Sequence, residues 1–381
     1  MRIGIDARMY GHTQTGIGNY TKFLIKNLGH ISGTKFPNVK FFVFLRKNGF
    51  KEFTEPNDNF VKVIADYKWY SFEEQIKFPV LLYKYKLDLM HFTHFNAPIF
   101  YYKPFIVTIH DLTPKFYSGH LIGKYWHRCV AYNLVLKNAI KKSKYIITPS
   151  QFTKNDILKN YKVNNNKIKV IYEGIEHISK SKERVKFKTK FVSQHIKSKQ
   201  ILNYVLYLGV IRPHKNLVNL VKAFAILKNK KTFVINKLKL ILAGPDDGTY
   251  PELREKIKKH GLERDVSMTG VLTEKEKIQF LANARLVILP SLYEGFGLTP
   301  LEAISLGITV AVSDIEPLRE ILRESVFYFN PKNEKNMAKV IKQALFNKRK
   351  QKEKLKQGAL LIKNYKWSKM AKEIFALYLK I

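Results

Sequence analysis

Short, near-continuous apolar runs that alternate with helical stretches constrain the fold of this chain most. In the first half the runs fall at residues 3–5, 41–45, 61–65, 87–92, 105–109, 145–148 and 168–171. Helical periodicity fills the intervals at about 17–29, 71–86, 123–142 and 151–160. Intervals of that length suit the crossover of a parallel βαβ unit rather than a hairpin. Runs without apolar/polar alternation belong to strands covered on both faces. After residue 200 the alternation restarts, with strands expected at 204–208, 238–243, 265–269, 286–289, 309–312 and 326–329. Helices are expected there at about 216–229, 251–260, 274–283, 300–306, 316–323, 333–347 and 350–363. The stretch 179–200 is poor in glycine, very rich in lysine and carries no strand signal. The chain therefore reads as two doubly wound α/β domains in series, 1–178 and 201–364, joined by a basic linker at 179–200. An amphipathic helix within 365–381 is expected to pack back on the first domain. Such folds bind ligands at the carboxyl ends of their strands, and a cleft between two domains is the expected site.

Composition narrows the class. At 381 residues and 45% hydrophobic content the chain can bury two ordinary cores, which excludes a disordered protein. No apolar run reaches the roughly 18 residues of a membrane span. Residues 1–6 read as a strand and lack the features of a signal peptide. The single cysteine, Cys129, excludes an internal disulfide and a cysteine-cluster metal site, and its helical pattern points to the core. A cytoplasmic protein is the expectation. The net charge is +38, from 68 Lys and Arg against 30 acidic residues. Such a surface attracts anionic membrane, nucleic acid or phosphorylated substrates through a sequence-independent field. Compositional bias explains it equally well, because the charge is spread along the chain rather than gathered in one arm. No nucleic-acid-binding motif is present, so no specific nucleic-acid partner is expected. Peripheral contact with the inner face of an anionic membrane is the partner the charge suggests, and oligomeric state leaves no trace in the sequence.

The residues with chemistry sit where these expected strands end. Glu294-Gly-Phe-Gly-Leu-Thr-Pro-Leu-Glu302 follows the run 286–289 and sets two carboxylates eight positions apart across a glycine loop. Thr299, Pro300 and Glu302 read as N-cap, N1 and N3 of a helix. A strand, a glycine loop and a helix start aim backbone N–H groups at an anion. Glu302 has two readings here, as a capping-box partner of Thr299 or as a ligand carboxylate. The second domain opens with Gly209, then Arg212, His214 and Lys215 on one strand–helix loop, cations that suit a diphosphate. In the first domain, His110 and Asp111 end the run 105–109, and Gly16 and Gly18 precede a helix after the first strand. The glycine pair is compatible with a phosphate loop or a plain turn. Asp246 and Asp247 read as turn residues, since two adjacent aspartates lack a third ligand for a metal. Ser150 reads as an N-cap.

These pieces, in this order, resemble the retaining glycosyltransferases of family four, whose GT-B fold has two facing Rossmann-like domains and an interdomain cleft. The resemblance runs over nearly the whole chain and is most specific at Glu294-x7-Glu302. Stretches 15–18, 110–112, 148–152, 209–216 and 243–247 support it. The stretch from Trp69 through His94-Phe-Asn96 to His110 resembles the mannosyltransferase-like branch that builds bacterial surface polysaccharides. The resemblance implies that Glu294 contacts the hydroxyls of the donor sugar, helped by the N–H groups of Phe296 and Gly297. It implies that the backbone of Leu298 and Thr299 faces the diphosphate and that Glu302 holds the ribose. Lys215 and a neighbouring Arg would bind the diphosphate, His110 would contact the sugar from the other domain, and Gly16 and Gly18 would admit the phosphates. His214 stands where the family often has Arg, and Val210 occupies another such position, which leaves Arg212 or His214 as the second cation. The implied activity is transfer of a hexosyl unit, with mannose favoured, from a GDP- or UDP-linked sugar to a glycan or lipid-linked acceptor. Retention at the anomeric carbon, and no metal or cofactor beyond the donor, are also implied. A nucleotide-sugar epimerase of the same fold and a basic nucleic-acid-binding protein are the rival readings.

Overall fold

A computed structural model describes residues 1–11, 16–117, 119–175, 203–229 and 233–381. The chain divides into two units, residues 1–174 with 366–381, and residues 175–365. The expected linker at 179–200 lies outside the described residues, as does Thr15.

The first unit is a seven-stranded parallel sheet. Its strands are β1 (Arg2–Asp6), β2 (Lys40–Leu45), β3 (Phe60–Ile64), β4 (Leu89–Phe92), β5 (Phe105–Thr108), β6 (Ile146–Thr148) and β7 (Ile168–Val170). The order is β3-β2-β1-β4-β5-β6-β7, with Ile5 of β1 facing Val43 on one side and His91 on the other. Every residue of β4 and β5 is buried, whereas β3, at the edge, mixes buried and exposed positions. That difference is the one expected between a strand covered on both faces and one with a free side. The helices are α1 (Gly16–Lys35), α2 (Lys47–Glu52), α3 (Phe72–Lys84), α4 (Thr113–Phe116), α5 (Gly119–Lys142) and α6 (Gln151–Asn160). Ser150 caps α6 by accepting from the Thr153 N–H. Cys129, in α5, is half-buried rather than in the core, a correction to the helical-pattern reading.

The second unit is a six-stranded parallel sheet in the order β10-β9-β8-β11-β12-β13. The strands are β8 (Tyr204–Leu208), β9 (Lys239–Ala243), β10 (Val266–Gly270), β11 (Leu286–Leu289), β12 (Val310–Ser313) and β13 (Phe327–Phe329). Its helices are α7 (Leu217–Lys228), α8 (Phe233–Asn236), α9 (Glu252–Lys259), α10 (Glu274–Asn283), α11 (Leu298–Ser305), α12 (Glu316–Leu322), α13 (Glu334–Phe346) and α14 (Lys348–Leu361). Both sheets thus reverse their winding once, between β1 and β4 and between β8 and β11. The loops that leave those strands frame the crevice where open α/β sheets take ligands.

The helix α15 (Trp367–Tyr378) belongs to the first unit. Trp367 stacks on Phe23 of α1 at 5.1 Å, and the Tyr378 hydroxyl bonds His91 Nδ1 at 2.7 Å. His91 Nε2 meets Thr108 Oγ1, which also meets the Tyr20 hydroxyl, so one buried polar chain ties α15, β4, β5 and α1 together.

Candidate active site

At the switch point of the second sheet, the loops after β8 and β11 are tied to each other. The Leu292 N–H donates to the carbonyl of His214 at 2.8 Å. Asn216, in the left-handed region at φ 59, donates its amide to the carbonyls of Pro290 and Pro331. Between the loops, Lys215 Nζ stands 2.7 Å from Glu294 Oε1, and Ser291 Oγ donates to the same oxygen at 2.6 Å. Both side chains of the pair are mostly buried but reach solvent. Burial, then the neighbouring Lys215 charge, pull His214 down to about 4, so its ring is neutral at physiological pH. Arg212 lies further out, paired with Asp247 at 2.9 Å and half-exposed. Asp246 and Asp247 accept from the N–H groups of Gly248 and Thr249, as turn residues do.

The glycine loop is shaped from below. Gly209, at φ +159, leaves β8 directly over Gly244, where an added Cβ would lie 2.1 Å from the Gly209 carbonyl oxygen. Two backbones cross at that point, and no side chain fits between them. Gly297, at φ +91, starts α11 and takes the N-cap position. This corrects the expected helix start. Thr299 is inside the first turn and caps nothing; its hydroxyl lies 3.4 Å from the Leu208 carbonyl. Phe296 is a core residue packed edge-on against Tyr365. Leu298 lines the same core from the partly buried side.

Glu302 lies one turn deeper and is 2% exposed. No capping box forms at α11; Glu302 Oε1 instead accepts from Lys277 Nζ of α10 at 2.6 Å. Burial acts to lower the Lys277 pKa, but Glu302 and Glu274 outweigh it and hold it above the usual lysine value. Nothing in the local pattern announces this pair, because its members are 25 positions apart and meet only through the packing of α10 on α11.

In the first unit His110 stands two residues past the end of β5 with both ring nitrogens engaged. Nε2 lies 3.0 Å from the Thr93 carbonyl and Nδ1 lies 3.2 Å from Glu173 Oε1. A carbonyl and a carboxylate only accept, so this geometry suits the imidazolium form. Burial lowers the His110 pKa, but the Glu173 bond and charge and the Thr93 carbonyl outweigh it, and the net direction is up. Asp111 caps the following turn by accepting from the Thr113 N–H. Gly16 and Gly18 lie within the first turn of α1 rather than in a loop before it. At the switch point itself, the buried Arg8 guanidinium holds Asp6 and Glu74 at 2.7 and 2.6 Å, and the Asn96 amide adds a bond to Glu74. The sequence reading passed over Arg8, Glu74 and Glu173.

Two parallel, doubly wound units, the second carrying a lysine–carboxylate pair and a glycine-started helix at its switch point, are the architecture of the GT-B glycosyltransferases. Comparison with known proteins gives the family. The family model "Glycosyltransferase Family 4" matches residues 43–177, and "Glycosyl transferases group 1" matches residues 187–361. The chain carries domains of both types, one in each half of its length. It is 28% identical over 345 residues to the O-antigen chain mannosyltransferase RfbU of Salmonella typhimurium, covering 89% of each chain. Among solved structures, Anabaena Alr3699/HepE in complex with UDP and glucose superposes with a TM-score of 0.73 at 16% identity, over 100% of both chains. WaaG, a glycosyltransferase involved in lipopolysaccharide biosynthesis, gives 0.71 at 13% identity over 98% of both. At these identities the two structures speak for the fold alone.

Proposed function

We propose that this glycosyltransferase moves a mannosyl unit from a GDP- or UDP-linked sugar to a glycan or lipid-linked acceptor in the synthesis of a surface polysaccharide. The likeness to RfbU supports the sugar and the setting. The observation that carries the reading is the Lys215–Glu294 pair between the loops of β8 and β11. A carboxylate there accepts from sugar hydroxyls, and an ammonium beside it offsets the charge that develops on a departing diphosphate. Gly297 opens α11 without a side chain in the path of a phosphate, and the helix N-terminus adds its dipole. Glu302 would take the ribose hydroxyls. Arg212, half-exposed beside Asp247, is the proposed second cation, with His214 as the alternative.

In the proposed retaining reaction the bond from the anomeric carbon to the diphosphate breaks and a bond to the acceptor oxygen forms on the same face. The departing diphosphate oxygen takes the acceptor's proton. Glu294 is an orienting group in this scheme and not a nucleophile, and no metal enters it. Among the described residues no helix is long and apolar enough to cross a membrane, so access to a lipid-linked acceptor would be from the surface.

The test is Glu294→Gln. Transfer from GDP-mannose should fall by about two to three orders of magnitude, as when a preorganised polar contact is lost. The melting temperature should stay put. Unchanged turnover would remove Glu294 from the mechanism. If neither GDP-mannose nor a UDP-sugar raises the melting temperature of the native enzyme, the donor site itself is misplaced.

A further inference from the structure

Helix α3 is apolar on two faces, and only one of them is covered. Phe78, Pro79 and Leu82 point into the core. Phe72, Ile76, Val80 and Tyr83 recur at spacings of four, four and three along the opposite side, and all are exposed, Phe72 by 84%. Single exposed apolar residues are ordinary, but a stripe at helical period is not. The stripe continues off the helix. The Tyr83 hydroxyl donates to the Phe100 carbonyl and accepts from the Tyr102 N–H, which brings Phe100 and Tyr102, 50% and 68% exposed, to its end.

Lysines rim this surface. A hollow of about 230 Å³ is walled by Ile76, Val80, Leu81 and Tyr67 together with Lys77 and Lys84. Lys142 Nζ sits 4.3 Å over the Tyr102 ring. Lys77 is paired with Glu73 of the same helix at 2.5 Å, so the net cationic rim is carried mainly by Lys84 and Lys142; aromatic and aliphatic side chains with such a rim have the composition of a surface that lies in the headgroup–acyl boundary of an anionic bilayer. A second copy of the chain fits less well, because it would set these lysines against their own duplicates in a protein of net charge +38.

We propose that the α3 stripe seats the first unit on an anionic lipid surface, with Phe72, Ile76 and Val80 entering the boundary and Lys84 and Lys142 meeting headgroups. This rests on the reading of a lipid-linked acceptor and names the surface that reaches it.

Co-sedimentation with vesicles of phosphatidylglycerol and phosphatidylcholine, against phosphatidylcholine alone, tests it. The native protein should bind the anionic vesicles and release them as salt rises. The variant Phe72→Ser/Ile76→Ser/Val80→Ser should bind at least about tenfold more weakly, given the apolar area withdrawn from the boundary, with its melting temperature unchanged. Lys84→Glu should weaken binding by roughly fivefold or more and flatten the dependence on lipid charge. If the native protein binds no vesicles, the membrane reading falls and this proposal with it. If it binds and the triple variant binds as tightly, only the assignment to α3 is overturned. A triple variant that instead converts a dimer to a monomer, with vesicle binding intact, would make the stripe an interface between copies and refute the lipid assignment.

Discussion

Removing Lys277 should expose how much of the second unit hangs on one buried charge. Glu302 is 2% exposed and its partner's side chain only 14%, at a separation of 2.6 Å. Lys277→Met would leave the Glu302 carboxylate in the packed seam between α10 and α11 without its main counter-charge. Breaking a buried pair by taking away one partner costs on the order of 3–5 kcal/mol. With a urea slope of roughly 2–3 kcal/mol per molar for a unit of this size, the midpoint should fall by about 1–2.5 M. Replacing both partners, as in Lys277→Met/Glu302→Leu, should recover most of that loss, because an apolar pair of similar volume needs no counter-charge. The difference between the double variant and the summed singles is the coupling energy of the pair. Trp69, Trp126 and Trp367 all belong to the first unit, so the transition has to be followed by far-UV circular dichroism rather than tryptophan fluorescence. A midpoint shift in Lys277→Met below about 0.3 M, or single costs that simply add in the double variant, would refute the reasoning.

His91 and His94 should titrate in the direction opposite to His110. Burial, with the His110 charge second, pulls His91 and His94 down to about 3. Between 6.5 and that value the unfolded chain binds protons that the folded one refuses, so the unit should lose stability as pH falls through the window. His110 is raised, so its pairing with Glu173 is fully present below 6.5 and is lost as pH rises through the shifted value. Ring NMR should find His91 and His94 neutral at pH 5 and His110 protonated beyond 6.5; a His110 midpoint below 6.5 contradicts the geometry. Gly244→Ala should cost more than about 2 kcal/mol in a thermal melt, since its Cβ would lie 2.1 Å from the Gly209 oxygen. A melt unchanged from the native protein would show that the loop crossing is looser than described.

Both sheets were legible in the sequence because a strand covered on two faces has to be an apolar run, and each expected run is a strand. The short helices α2 and α4 were not, since one or two turns offer no periodicity to detect. The start of α11 was misread for a physical reason. Thr-Pro-x-Glu imitates a capping box, but Gly297 adopts the left-handed conformation two residues earlier and begins the helix there. Lys215 and Glu294 were both singled out from their loops, yet their meeting across 79 positions follows only from the neighbouring places of β8 and β11 in the sheet. The same holds for Glu302 with Lys277 and for His110 with Glu173. Local spacing names residues that can do chemistry, and the strand order decides which of them face each other.

The return of residues 366–381 to the first unit bears on how the protein is made. Gly174 packs against the backbone of Trp367, where an added Cβ would lie 2.0 Å from the Trp367 nitrogen. On the ribosome the seven strands of the first sheet emerge early but wait for α15 until the whole second unit has been translated. Through that interval Phe23 has no Trp367 to stack on, and His91 Nδ1 has no Tyr378. The nascent first unit is thus a client for chaperones at the stage when the second, a continuous segment, can already close on itself. A ribosome that stalls inside α13 or α14 would release a chain whose earliest-made half stays unfinished.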